Sequence, residues 1–381
     1  MDIYIGVLFL IIFLGLFFSQ IEYIWNNRIL NSLQNSVEYS ERGNILEKIY
    51  VVVIAIILIV VSGHRICGTD FWTYRAAFNG QDPSSFESGY VYLQNKVFDY
   101  NPNFTTMLLV VAAITIGSIA VAILISGTSG YISWFLYFTT FMYFYSFNGI
   151  RQSMAMGVFL LGVTLLYKLN GHRIMQVFLV VFLYQYASSF HGSVIMVLPI
   201  VIASMIVARF DNVEICKKIF RIGLFLAVFL PPLDVSFIFE SPLFSWMTFG
   251  YKEYFNESDE FNNRLSVMRL GYAYMKAFVY AVFAYSFIKN YGKYTMFQKQ
   301  LGYLNLLGYI VVATKMNAPM VSRLLQYVDH VPIIVFPIIL MNEKDIKMKK
   351  LLFLILIVFG LATITMCFKQ NVAGIIPYIA E

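Results

Sequence analysis

Residues 104–125 read FTTMLLVVAAITIGSIAVAILI, twenty-two positions without a charged side chain. A helix of that length rises about 33 Å, enough to cross the ~30 Å hydrocarbon layer of a bilayer. Working outward, similar apolar blocks run from one end of the chain to the other. They fall at 3–19, 50–63, 131–147, 150–167, 174–190, 193–208, 222–239, 270–288, 301–314, 324–341 and 351–368. Two of the breaks, Asn148–Gly149 and His191–Gly192, are so tight that the flanking blocks must form helical hairpins.

Composition agrees with that reading. Of 381 residues, 59% are hydrophobic, 18% aromatic and 13% charged, and mean hydropathy is +0.71. A soluble domain carries about 25% charged residues and has too little interior to hide so much apolar surface. An ordinary cytosolic enzyme, a disordered regulator and a secreted disulfide scaffold are excluded. Cys67, Cys216 and Cys367 lie far apart, with no CxxC and no Cys/His cluster, so neither a zinc site nor a disulfide framework is expected. The fold class predicted is an all-α polytopic bundle of about twelve spans, one integral membrane domain over 1–381. The start, Met1-Asp2-Ile3, lacks the basic flank and cleavage site of a signal peptide, so the first block is expected to remain a membrane helix.

Sorting the basic residues by side gives orientation. With the N-terminus outside, the inner segments carry sixteen Lys and Arg and the outer ones ten. Discounting the two long outer loops, 64–103 and 240–269, leaves four outside. The positive-inside rule therefore favours N-out and C-out, and the net charge of +6 needs no nucleic-acid partner. The 64–103 loop interleaves aromatic with polar residues, as amphipathic interfacial helices, a sugar-stacking surface or an aromatic belt would.

Ionisable residues at membrane depth mark functional or paired positions, and four segments carry them. In His64–Tyr74, Arg65 and Asp70 bracket Gly68, so a turn can bring both charges to one mouth; an interface anchor with an N-cap by Thr69 or Asp70 is the alternative. Arg151 stands in the first turn of its helix, where the dipole repels cations. An anion held there, also by the terminal N–H groups, explains the placement, as does snorkelling to headgroups. His191 sits on a hairpin, with a side chain suited to general-base work near neutrality or to simple packing. Arg323 and Tyr327 share a helix face, and Asp329 and His330 are expected to pair with each other's neighbours or with Arg323. On the predicted topology Arg151, His191 and Arg323 reach one membrane face, where paired guanidinium forks match a diphosphate.

Five blocks, in order over 65–327, resemble the EpsG family of bacterial exopolysaccharide polymerases, itself similar to the Wzy-type O-antigen and capsule polymerases. They are Arg65, Gly68, Thr69, Asp70, Phe71 and Tyr74; Glu87, Gly89 and Tyr90; Arg151, Gln152, Ser153 and Ala155; Ala187, Ser188, Phe190, His191 and Ser193; and Arg323 with Tyr327. The segment 240–269 and the last span match nothing in that pattern.

The resemblance implies a glycosyltransferase of the broad GT-C type in the bacterial cytoplasmic membrane. It would join oligosaccharide repeat units on undecaprenyl diphosphate, serving as donor and acceptor, at the outer face. Arg151 and Arg323 would hold the leaving diphosphate and His191 would be the base, with Asp70 or Glu87 as alternative base or sugar ligand. Arg65, Tyr74, Glu87, Tyr90, Gln152, Ser153, Ser193 and Tyr327 would line the substrate. The activated diphosphate calls for no cofactor, and no ligand cluster asks for a metal. One direct displacement would invert the anomeric centre. A chain-length regulator and a flippase are expected partners, beside membrane lipid itself.

Three rivals stay open. A flippase for the same lipids would need polar residues through the inner half as well, and the chain shows no internal repeat. A glycan ligase would use nearly the same chemistry. A membrane acyltransferase could use His191, but the paired arginines fit it poorly.

Overall fold

The computed structural model describes residues 1–32, 44–80, 86–230, 267–315 and 319–380. In chain order its helices are α1 (Asp2–Ser32), α2 (Asn44–Gly63), α3 (Phe71–Phe78), α4 (Ser88–Tyr100), α5 (Phe104–Ser126), α6 (Gly130–Thr139), α7 (Met142–Tyr145) and α8 (Ile150–Lys168). They continue as α9 (Arg173–Phe190), α10 (Leu198–Arg209), α11 (Val213–Phe229), α12 (Val267–Lys289), α13 (Met296–Ala313), α14 (Pro319–His330), α15 (Pro332–Asn342) and α16 (Ile346–Lys369). Among the described residues there is no strand, and one isolated antiparallel bridge joins Arg65 to Ala380.

Helix occurs at each of the twelve apolar blocks. By length and composition α1, α2, α5, α8, α14 with α15, and α16 could cross a membrane, which makes this a multi-pass membrane protein. Residues 231–266, which take in the end of the eighth block and nearly all of the 240–269 loop, lie outside the described residues.

Several boundaries differ from the sequence expectation, each for a local reason. The second block is longer than 50–63 because α2 starts at Asn44 and takes Glu47 into its first turn. That carboxylate accepts from Gly130 N at 2.8 Å and Ser129 Oγ at 3.1 Å, so it neutralises the positive end of α6. The fourth block is not one helix. The hydroxyls of Thr139 and Thr140 bond back to the carbonyls of Phe135 and Leu136, each at 2.7 Å, and Phe141 then turns to φ +72°. Back-bonding of that kind bends helices, and left-handed backbone is rare for a bulky residue. The eleventh block breaks before Pro332, whose missing N–H interrupts the ladder. The seventh opens as a 3₁₀ turn, Gly192–Met196, before α10.

Burial ranks the helices. Within α8 83% of the apolar window is buried, and within α14–α15 72%, against 22% for α1, 33% for α2 and 39% for α16. The first two form the centre; the last three turn residues such as Phe9, Leu16 and Leu354 outward, as lipid-facing helices do. Gly157 permits a close central approach: a Cβ there would stand 2.6 Å from the Thr115 carbonyl oxygen, so α5 and α8 touch backbone to backbone.

At one end of the bundle the loop after α2 is clamped by the C-terminal tail. Ile66 N donates to Ile379 O (2.7 Å), Gly68 N to Gly374 O (3.1 Å) and Asn148 Nδ2 to Ala373 O (2.8 Å). The two short helices that follow pack by spacing, α3 through Phe71, Tyr74 and Phe78 and α4 through Tyr90, Gln94 and Val97. They form a cap over the same end.

Candidate active site

Four side chains from four parts of the chain join into one row at that end. Arg151, in the first turn of α8, donates through Nη1 to Glu87 Oε2 and through Nε to the Tyr74 hydroxyl at 3.4 Å. Glu87, just before α4, reaches His191 with its other oxygen: Oε1 lies 3.0 Å from Nδ1. The backbone N–H of Gly192 donates to that same oxygen at 3.3 Å. Nε2 of His191 lies 2.9 Å from Nη1 of Arg323, near the start of α14.

The order of the row fixes its protons. Guanidinium can only donate, so Nε2 accepts from Arg323, and the ring proton sits on Nδ1 and is donated to Glu87. His191 is therefore neutral. Burial lowers its pKa below the ordinary value, an effect that the hydrogen bond and charge of Glu87 oppose and the charges of Arg323 and Arg151 reinforce. Burial alone would raise the Glu87 carboxyl, but the His191 bond and charge, with Arg151, hold it below its usual range. The row thus holds two cations and one anion, with side-chain exposures of 18% at Arg151, 23% at Glu87 and 5% at His191.

Local packing explains how the row is held. Gly89 allows α4 to meet α9, since a Cβ there would lie 2.5 Å from Ser189 Cβ and 2.8 Å from its carbonyl oxygen. Phe86 lies under the Arg151 guanidinium, 4.3 Å from ring centroid to Cζ, a cation–π contact. Gln152 donates to the Arg323 carbonyl (3.4 Å) and accepts from the Tyr145 hydroxyl (2.9 Å), tying the starts of α8 and α14 together. Ser193 Oγ and the buried Tyr327 hydroxyl, 3.2 Å apart, make a second tie between the hairpin and α14.

A family model, the EpsG family, matches residues 48–380. The chain belongs to the EpsG family. No curated protein and no solved structure matches it. The family is associated with polymerase activity of the glycosyltransferase kind in exopolysaccharide synthesis.

In this EpsG-family chain the remaining candidate residues divide. Tyr74 touches the row through Arg151, and Tyr90 packs behind it, 5.9 Å from the Tyr74 ring and 5.5 Å from Phe86. The hydroxyls of Tyr90 and Ser153 are buried and have no hydrogen-bond partner among the described residues. Asp70 is exposed at the start of α3, makes no side-chain cap bond, and accepts from Thr69 Oγ1 at 3.1 Å. Arg65 is not at the mouth with Asp70. It is 1% exposed and donates to the carbonyl and hydroxyl of Ser62 and to the Phe147 carbonyl at 3.3 Å, with the Phe147 ring 4.5 Å away. Gly68 does turn the loop, but it sends one charge inward and the other out.

Asp329 pairs with neither Arg323 nor His330. Its carboxylate takes Lys276 Nζ from α12 at 2.5 Å and the Tyr280 hydroxyl at 3.2 Å. His330 bonds instead to the Gln326 carbonyl at 2.7 Å. Sequence reading passed over Lys276, although twenty-six of the twenty-seven basic residues sort to one side or the other and this one lies inside a span. Phe86 and Tyr145 were equally missed; neither differs from its aromatic neighbours until the fold places it. Among the described residues no group of three or more His, Cys, Asp or Glu side chains is arranged to hold a metal ion.

Proposed function

We propose that this chain is a repeat-unit polymerase: it transfers a growing glycan from its lipid diphosphate to a sugar hydroxyl of a fresh lipid-linked unit. The observation that carries the reading is the row Arg151–Glu87–His191–Arg323. Family membership supplies the reaction class, and the row supplies groups of the right chemistry for each part of it.

In the proposed reaction the acceptor oxygen attacks the anomeric carbon of the donor. The bond from that carbon to the diphosphate oxygen breaks, its electron pair leaves with the diphosphate, and the hydroxyl proton passes to Nε2 of His191. Glu87 orients the ring and stabilises the imidazolium that forms, because Nδ1–H already points at its carboxylate. Arg151 and Arg323 meet the charge that grows on the leaving group. In the arrangement described above, Arg323 occupies Nε2. A diphosphate that draws Arg323 toward itself uncovers the base, so the site assembles as its substrate binds. Asp70 is assigned to the sugar, with Tyr74 beside it, and the buried Tyr90, Ser153 and Ser193 to the walls that shape the site. Arg65 acts on these only by holding the loop. One displacement inverts the anomeric centre and uses no cofactor.

We further read about twelve spans with both termini outside. The basic-residue count supports this, as does the meeting at one end of the bundle of the helix ends that bear Arg151, His191 and Arg323.

Complementation of a strain lacking its own polymerase tests the proposal. Arg151→Ala, Arg323→Ala and His191→Ala should each leave single repeat units on lipid while the protein still reaches the membrane. Long polymer from any of these variants removes that residue from the mechanism. In the null strain, units stranded on the inner leaflet, rather than flipped and unjoined, would make the protein a flippase.

A further inference from the structure

We propose that the groove between α9 and α10 binds an anionic phospholipid, in the leaflet opposite the His191 end. α9 packs on α8, whereas α10 packs on α13, and the two leave between them a cavity of about 430 Å³. Val177, Val180 and Val181 form one wall and Ile202, Met205 and Ile206 the other. Gln176, at the floor, is buried with its amide nitrogen bonded to the Leu166 carbonyl at 3.2 Å, so the trough below the mouth is apolar. Ile174, Phe178, Val181, Ile202 and Ile206 are exposed, which opens the groove sideways to lipid.

The mouth is cationic. Arg173 opens α9 and Arg209 closes α10; the helices run in opposite directions, so both guanidinium groups stand at one end and line the cavity. Both are exposed, and among the described residues neither forms a salt bridge. Arg173 also occupies the turn where its helix dipole repels a cation. Two uncompensated cations over an apolar trough complement a lipid phosphate with its acyl chain beneath it. The dimensions agree: α9 rises about 12 Å from Arg173 to Val181, most of the ~15 Å depth of one leaflet. The mouth lies about 27 Å of helix from His191, so it is separate from the diphosphate site, and a lipid seated there braces the helix that carries His191.

Full-length protein, purified in neutral detergent and delipidated, is titrated with phosphatidylglycerol or phosphatidylcholine of identical chains, and bound lipid is read by native mass spectrometry. The wild type should hold one phosphatidylglycerol and prefer it by about 30-fold, as two near-surface arginines predict. The double variant Arg173→Gln, Arg209→Gln should lose that preference, and Val181→Trp should lose both lipids. A phosphatidylglycerol with a photoreactive chain should label residues 177–181 and 202–206. Where Val181→Trp does not fold, the exposed arginine variant and the labelling decide. Equal retention of the two lipids, an unchanged preference in the arginine variant, or labelling elsewhere overturns the proposal. So does displacement of phosphatidylglycerol by undecaprenyl phosphate at lower concentration, which would give the groove to the carrier lipid.

Discussion

α14 carries charge near both ends, and the two clusters differ in access. Near its start, Arg323 ends a row of two cations, one carboxylate and a neutral imidazole. Two turns on, Asp329 meets one lysine and one tyrosine hydroxyl. The Lys276–Asp329 pair is about half as exposed as Arg151 and Glu87, 10% and 14% against 18% and 23%. It borders a cavity of only about 20 Å³, room for one water and not for a sugar. A matched pair at that depth holds α12 to α14. The row, partly open at the bundle end, presents two guanidinium groups to an anion. Access, more than charge, separates scaffold from site here.

The comparison breaks most visibly at His191. His191→Ala should slow polymer formation by about 10²–10⁴-fold, the usual contribution of a general base, with unchanged thermal unfolding of the purified protein. A loss of less than tenfold in a single-turnover assay would demote the imidazole to a packing residue.

Lys276→Ala tests the other cluster and should act through stability. It leaves Asp329 buried without its cation, a change that costs about 3–5 kcal/mol, and should be read as a lower unfolding midpoint and a lower membrane yield. The exchange Lys276→Asp with Asp329→Lys restores a matched pair and should recover most of both. If the exchanged protein is stable yet inactive, the pair belongs to the reaction and the distinction between the clusters fails.

Glu87→Gln sharpens the reading of the row. The variant keeps the hydrogen-bond shape and removes the charge that holds up the His191 pKa. The wild-type rate should be flat near neutrality and fall at acid pH, with its half-point below the ordinary histidine value of about 6.5, because protonated His191 cannot accept the hydroxyl proton. Removing a charge that favours the imidazolium lowers that pKa further, so the acid limb should move to still lower pH while the plateau drops about tenfold. A limb that moves upward contradicts the assigned order of protons.

The smallest effect belongs to Asp70. It is exposed and outside the row, so Asp70→Asn should raise KM for the lipid-linked sugar about three- to tenfold, the exchange of one charged hydrogen bond for a neutral one, with little change in kcat. A large kcat loss would return Asp70 to the chemistry.

Much of the site was legible because ionisable residues are so scarce in this chain. Arg151, His191 and Arg323 stand out by helix position and side, and Glu87 by its place in a family block. Their connections were not legible. Glu87 could as well have been a base or a sugar ligand; only its two oxygens, one on Arg151 and one on His191, make it the link. Arg65 and Asp70, five residues apart, looked like one mouth and are divided by the turn at Gly68. Lys276 escaped because a count by membrane side has no place for a charge inside a span. The longer α2 escaped because Glu47 reads as a boundary until the N-terminus of α6 neutralises it.

Composition and order along the chain settled the helical membrane class and the family, since apolar blocks must lie in lipid whatever their neighbours are. The pairing of charges was settled only by the tertiary structure. Glu87 and Arg151 are 64 residues apart and His191 and Arg323 are 132 apart. Electrostatic partnership falls off over a few ångströms, so it depends on which helix ends the packing of α8 and α14 brings together.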